Sequence, residues 1–109
     1  MDKVTIENIV EYLKEKLNMS GIIPYKIIVY GSASSGKLTV DSDIDIAIIS
    51  DHFRNVDIFE RSLLTINAER ETMRKFGIPI DVVRLTVSEY EKNERMIAYY
   101  IKTGSGLHY

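Results

Sequence analysis

Apolar residues recur along this chain with two different periods. Ile6, Ile9, Val10, Leu13 and Leu17 follow helical spacing. Thr5 is placed to cap that helix and Ser20-Gly21 to stop it. After Pro24 the pattern changes. Tyr25-Lys26-Ile27-Ile28-Val29-Tyr30 is rich in β-branched and aromatic residues and predicts a strand. The small-residue stretch Gly31-Ser32-Ala33-Ser34-Ser35-Gly36 reads as a loop, and Ile44-Asp45-Ile46-Ala47-Ile48-Ile49 as a second strand. Val56 to about Phe76 forms a long amphipathic helix whose apolar positions are Phe59, Leu63, Ile66 and Met73, and Gly77 ends it. Ile80-Asp81-Val82-Val83-Arg84-Leu85 is a third strand. Ser88 is placed to cap a short helix, and Asn93 to Ile101 predicts another. The order α-β-β-α-β-α specifies an α/β (α+β) domain with a small sheet.

Composition narrows the functional classes. The 109 residues fit a single domain, 1–109, with one modest core and no second lobe for a large substrate. Fourteen Lys+Arg against sixteen Asp+Glu leave no global positive field, so direct nucleic-acid binding is disfavoured. Cysteine is absent, which removes disulfides, thiolate metal sites and a thiol nucleophile. His52 and His108 are far apart, which argues against a zinc site. No apolar run approaches the roughly 20 residues of a membrane span, and the N-terminus lacks a signal-peptide pattern. The expectation is a soluble cytoplasmic protein without membrane partners.

The chemistry concentrates in Asp41-Ser42-Asp43-Ile44-Asp45-Ile46. Alternation along a strand puts Asp43 and Asp45 on one face, about 7 Å apart, and Ile44, Ile46 and Ile48 on the other. Two like charges so placed invite a hard cation, for which Mg²⁺ or Mn²⁺ is the natural candidate. Asp81 interrupts an otherwise β-branched run, where an unpaired charge is costly to bury. If the third strand lies beside the second, Asp81 joins the other two, and three carboxylates can serve in-line phosphoryl or nucleotidyl transfer. A plain turn-forming role remains the alternative for an isolated D-x-D. An EF-hand is excluded further along, because Ile46 stands where that loop needs glycine and His52 where it needs the bidentate glutamate.

Gly31-Ser32 follows a strand directly, where glycine lets the backbone turn sharply and approach a phosphate and serine adds a donor. An ordinary Gly/Ser turn is the alternative. Gly31, Gly36 and Lys37 also match most of a P-loop, but Leu38 stands where Ser or Thr should bind Mg²⁺, and an extended segment follows instead of a helix.

Together, Gly31-Ser32-Ala33-Ser34-Ser35-Gly36, then Ser42-Asp43-Ile44-Asp45-Ile46-Ala47-Ile48, and the later Asp81 resemble the DNA polymerase beta nucleotidyltransferase superfamily, in particular its minimal nucleotidyltransferase (MNT) branch. The likeness runs from about Tyr25 to Leu85. Many relatives carry Arg or an aromatic residue after Gly-Ser, and basic residues in the loop, where this chain has Ala33, Ser34 and Ser35. The resemblance implies a small mixed sheet flanked by helices. It further implies a nucleoside triphosphate, ATP in the first instance, bound by Gly31 and Ser32, with Mg²⁺ or Mn²⁺ held by Asp43, Asp45 and Asp81 as the catalytic carboxylates. In this branch the domain commonly pairs with a small helical HEPN protein as antitoxin and toxin, and transfers AMP to a tyrosine of that partner. A binding module that neutralises its partner by contact alone is the alternative. Tyr25 and Tyr30 fit strand packing, Tyr99-Tyr100 a helix face, and Arg61, Arg70, Arg74 and Lys75 the solvated side of the long helix. The segments Ala98-Tyr99-Tyr100-Ile101 and Leu107-His108-Tyr109 suit either core closure or an interface.

Overall fold

The computed structural model describes residues 3–31, 43–103 and 106–109. Ser32, Lys37, Asp41 and Ser42, on which part of the phosphate-loop reading rests, lie outside the described residues. Helix α1 (Lys3–Met19) leads into β1 (Lys26–Tyr30) and β2 (Ile44–Ile49). A 3-10 turn (Asp51–Phe53) and α2 (Ile58–Phe76) precede β3 (Ile80–Leu85), and α3 (Val87–Glu91), α4 (Met96–Thr103) and β4 (Leu107–His108) complete the order. The expected elements are present, and β2 and β3 have the expected bounds. The caps differ. Thr5 sits inside α1 instead of capping it, and α3 is capped by Thr86, not Ser88. Thr86 and Glu89 form a reciprocal capping box, which satisfies two otherwise orphaned amides.

The strands form a mixed sheet ordered β3-β2-β1-β4. The β1–β2 and β1–β4 pairs are antiparallel, and β2–β3 is parallel, as the intervening α2 requires. Both faces of the sheet are covered. Ile27, Val29, Ile44, Ile46 and Ile48 pack with the apolar stripe of α1. Ile28, Ala47, Ile49 and Leu85 pack with Tyr90 of α3 and with Ala98 and Ile101 of α4. Of the two readings for the C-terminal segments, Ala98 and Ile101 close the core, while Tyr99 and Tyr100 stay exposed.

The long helix is turned over relative to expectation. Its cap residues fit the sequence: Asp57 accepts from the Glu60 amide at 2.8 Å, and Gly77, at φ 67°, ends it with its amide on Met73 O. Its buried stripe, however, is Arg61, Thr65, Ala68, Glu69 and Thr72, whereas Phe59 is 74% and Leu63 57% exposed. Arg61 is therefore not on the solvated side. Its guanidinium meets Glu89 at 2.6 Å and donates to the Val56 and Arg84 carbonyls. Arg84 meets Glu69 at 2.6 Å and donates to Thr65 at 2.7 Å, and Thr65 in turn donates to Glu69. Burial alone would raise the Glu89 pKa, but the Arg61 and Thr86 hydrogen bonds bring it below its usual value. Burying these charges is tolerable because each is paired and hydrogen-bonded.

Among the described residues, no helix is long and apolar enough to cross a membrane.

Candidate active site

Register across the sheet assembles the site. Ile28, Ala47 and Val83 are aligned across β1, β2 and β3, and their side chains pack in the α3/α4 layer. Two residues along, on the same face, the aligned row is Tyr30, Asp45 and Asp81. The sheet thus passes from apolar core to polar site within one pleat repeat, at the C-terminal end of β1 and the N-terminal ends of β2 and β3. Asp45 and Asp81 face each other directly on neighbouring parallel strands, which meets the condition under which Asp81 joins the acidic pair. Asp43 stands two residues before Asp45, exposed, just ahead of β2.

The electrostatics follow from this row. The Asp45 carboxyl is held above the usual carboxylate range, first by burial and then by the negative charges of Asp81 and Asp43. Tyr30 is 8% exposed, and its hydroxyl is pushed up to about 12 by burial, by Asp45 and Asp81, and by Tyr100. Tyr30 therefore stays protonated and available as a donor throughout the physiological range. The Tyr100 ring, on α4, packs edge-on against Tyr30 with centroids 6.1 Å apart. Tyr100 itself is 58% exposed.

Gly31 closes the other side. Its φ of +70° lies in the left-handed region, and a Cβ built there would collide with an Asp45 carboxylate oxygen. Glycine is thus needed twice over, for the turn out of β1 and for the close approach to the acidic row.

The donor set fits a hard divalent cation. Two carboxylates in register repel each other, and among the described residues none of Asp43, Asp45 and Asp81 has an ion-pair partner. The geometry brings together Asp45, Asp81 and Gly31. Asp43 reaches Asp45 electrostatically, but among the described residues no three acidic or histidine side chains converge as a ready-made metal cluster. The sequence pattern marks Tyr30 as a strand-packing residue and Tyr100 as a helix-face residue suited to core closure or an interface, and neither as a site residue. The signal that places Tyr30 in the site is its position immediately before Gly31 at the end of β1. Tyr25, by contrast, is an exposed residue, not a packed one, and its hydroxyl reaches Glu91 at 3.5 Å. A separate concavity of about 780 Å³ lies between α1 and the C-terminal end of α2, lined by Tyr12, Glu15 and Lys75 among others. It contains none of the carboxylates of the acidic row.

A family model described as a nucleotidyltransferase domain matches residues 6–104. The chain belongs to the nucleotidyltransferase domain family. Its fold resembles a solved protein from Sulfolobus solfataricus, provisionally described as a nucleotidyltransferase, with a TM-score of 0.55 over 84% of this chain and 82% of that one, at 21% identity. A second solved structure with the same provisional description is 24% identical over 94% of this chain and 97% of its own, with a TM-score of 0.49. No curated protein sequence matches the chain significantly. Family and fold agree with the mixed sheet expected of a polymerase-beta-type nucleotidyltransferase.

Proposed function

We propose that this nucleotidyltransferase-family domain transfers AMP from ATP, with Mg²⁺ or Mn²⁺, to a hydroxyl group, and that the acceptor is a tyrosine of a small helical partner protein of the HEPN type. The observation that carries the reading is the in-register Asp45–Asp81 pair beneath Gly31. A divalent cation would be held by Asp45 and Asp81 with Asp43 at the margin, and when bound it would neutralise these charges and those of the triphosphate. The protein's own contribution is positioning. Gly31 and Ser32 would orient the triphosphate, and Asp81, the most exposed end of the row, would orient the acceptor hydroxyl or take its proton. The acceptor oxygen attacks the α-phosphorus, the bond from that phosphorus to the bridging oxygen breaks, and pyrophosphate leaves. Because the described site offers little surface for a second substrate, the partner supplies its own alignment.

Intact-mass spectrometry after incubation with ATP, Mg²⁺ and the product of the adjacent gene tests this. The wild type should add AMP units to the partner, and Asp45→Asn should not. One observation favours the second reading, a contact-only antitoxin: among the described residues no three acidic or histidine side chains converge as a metal cluster. Tight partner binding without mass gain from any of the four nucleotides would make that reading the better one.

A further inference from the structure

Helix α2 buries a polar stripe and presents its apolar one. Phe59, Leu63, Ile66 and Met73 fall at positions i, i+4, i+7 and i+14, along one side of the helix, and the exposed Arg70 holds the i+11 position of the same stripe. Phe59 and Leu63 are well exposed, while Ile66 and Met73 are half-buried. The opposite stripe is occupied by the Arg61–Glu89 and Arg84–Glu69 pairs, so rotation of α2 to hide its apolar residues would break two buried ion pairs. The exposed stripe is therefore fixed in place by the polar network behind it.

We infer that this stripe is a self-association surface, on which α2 of a second copy of the chain packs antiparallel about a two-fold axis near Ile66. Charge complementarity selects that occupant. Glu60 and Arg74 are both exposed and lie on the same flank of the stripe, on opposite sides of Ile66. A two-fold axis perpendicular to the helices brings equal flanks together, so Glu60 meets Arg74 of the second copy, and the reverse. They are six and eight residues from Ile66, which leaves an axial offset of about 3 Å that two long side chains span. The same operation sets Phe59 against Met73 of the second copy and Ile66 against its own equivalent. The antiparallel arrangement also opposes the two helix dipoles. The surface does not depend on the proposed chemistry. The α2 layer is on the opposite side of the sheet from the Tyr30–Asp45–Asp81 row, so both sites of the pair stay open. One helix pair is smaller than a standard interface of about 800 Å² per partner, so the association is concentration-dependent.

Sedimentation equilibrium of the full chain tests this, with circular dichroism to confirm that each variant is folded. The expected mass rises from that of one chain toward twice that value over the micromolar range. Leu63→Glu should hold it at one chain. Glu60→Arg alone should weaken association at least tenfold, and Glu60→Arg combined with Arg74→Glu should restore it. A wild type that stays monomeric at several hundred micromolar overturns the inference, as does a folded Leu63→Glu variant that associates like the wild type. Failure of the double charge swap to restore association overturns the antiparallel register. A mass gain only on adding a helical partner assigns the stripe to that partner instead.

Discussion

Replacing Asp45 by asparagine should stabilise the metal-free protein. The substitution keeps the shape of the side chain and removes one charge from a row in which Asp45 and Asp81 face each other on adjacent strands. Strands are about 4.8 Å apart. At about 5 Å, two unit charges repel by roughly 1 kcal/mol in a water-like dielectric and about 3 kcal/mol at an effective dielectric of 20. Asp81 is exposed, so the lower figure applies, and Asp43 adds to it. A gain of about 1 kcal/mol corresponds to roughly 4–8 °C in Tm for a domain of this size. The pH dependence has a definite sign. The folded-state pKa of Asp45 is raised, so the folded protein binds that proton more tightly than the unfolded chain does. The wild-type deficit is complete above the folded pKa, shrinks as pH falls through it, and vanishes below the unfolded value near 3.8. Differential scanning calorimetry with chelator at low salt should show Asp45→Asn melting higher than wild type at pH 7. The gap should close toward pH 3.5, and narrow in 1 M salt, where the screening length is about 3 Å. A variant that melts at or below wild type at pH 7, or whose gain is the same at every pH, would refute the claim that these carboxylates face each other unpaired.

Three further outcomes follow from individual contacts. Gly31→Ala should lower Tm by several degrees, because the new methyl group meets both a left-handed backbone and the Asp45 carboxylate, and an unchanged Tm would show that Gly31 does not approach it. Stability should decline as pH rises from about 10 toward about 12, where the unfolded chain ionises Tyr30 before the folded protein does; Tyr30→Phe should flatten this limb in alkaline thermal melts. Arg61→Ala should destabilise by about 2 kcal/mol, since it leaves the half-buried Glu89 with only the Thr86 amide as donor among the described residues and the Val56 and Arg84 carbonyls without the guanidinium, and chemical denaturation showing a loss below about 0.5 kcal/mol would contradict the network.

Local sequence specified the strands because runs rich in β-branched residues, set off by turn-forming Ser and Asp in one case and by Gly77 and Pro79 in the other, leave little choice. Ile44–Ile49 and Ile80–Leu85 are such runs. The site was legible to the same extent: alternation placed Asp43 and Asp45 on one face, and the odd charge of Asp81 marked it as a companion. Parallel register, a tertiary property, decided that Asp81 meets Asp45 directly while Asp43 stays at the margin. The face of α2 was not legible. Apolar periodicity gives the length and the stripe of a helix, but not which side is covered. Here the covering partners of Arg61 and Glu69 are Glu89 and Arg84, on elements that follow α2 in the chain. The closeness of Gly31 to Asp45 was likewise hidden, because a glycine after a strand signals close backbone approach without naming what approaches.

The most direct test of the central claim, nucleotidyl transfer at the acidic row, is the identity of the phosphate released. The purified chain, with and without a helical partner, is incubated with Mg²⁺ and each of the four nucleoside triphosphates, and pyrophosphate and orthophosphate are quantified separately. The account predicts pyrophosphate, greatest with ATP, increased by the partner and abolished by Asp45→Asn. Orthophosphate as the sole product, or equal pyrophosphate from wild type and Asp45→Asn, would contradict it.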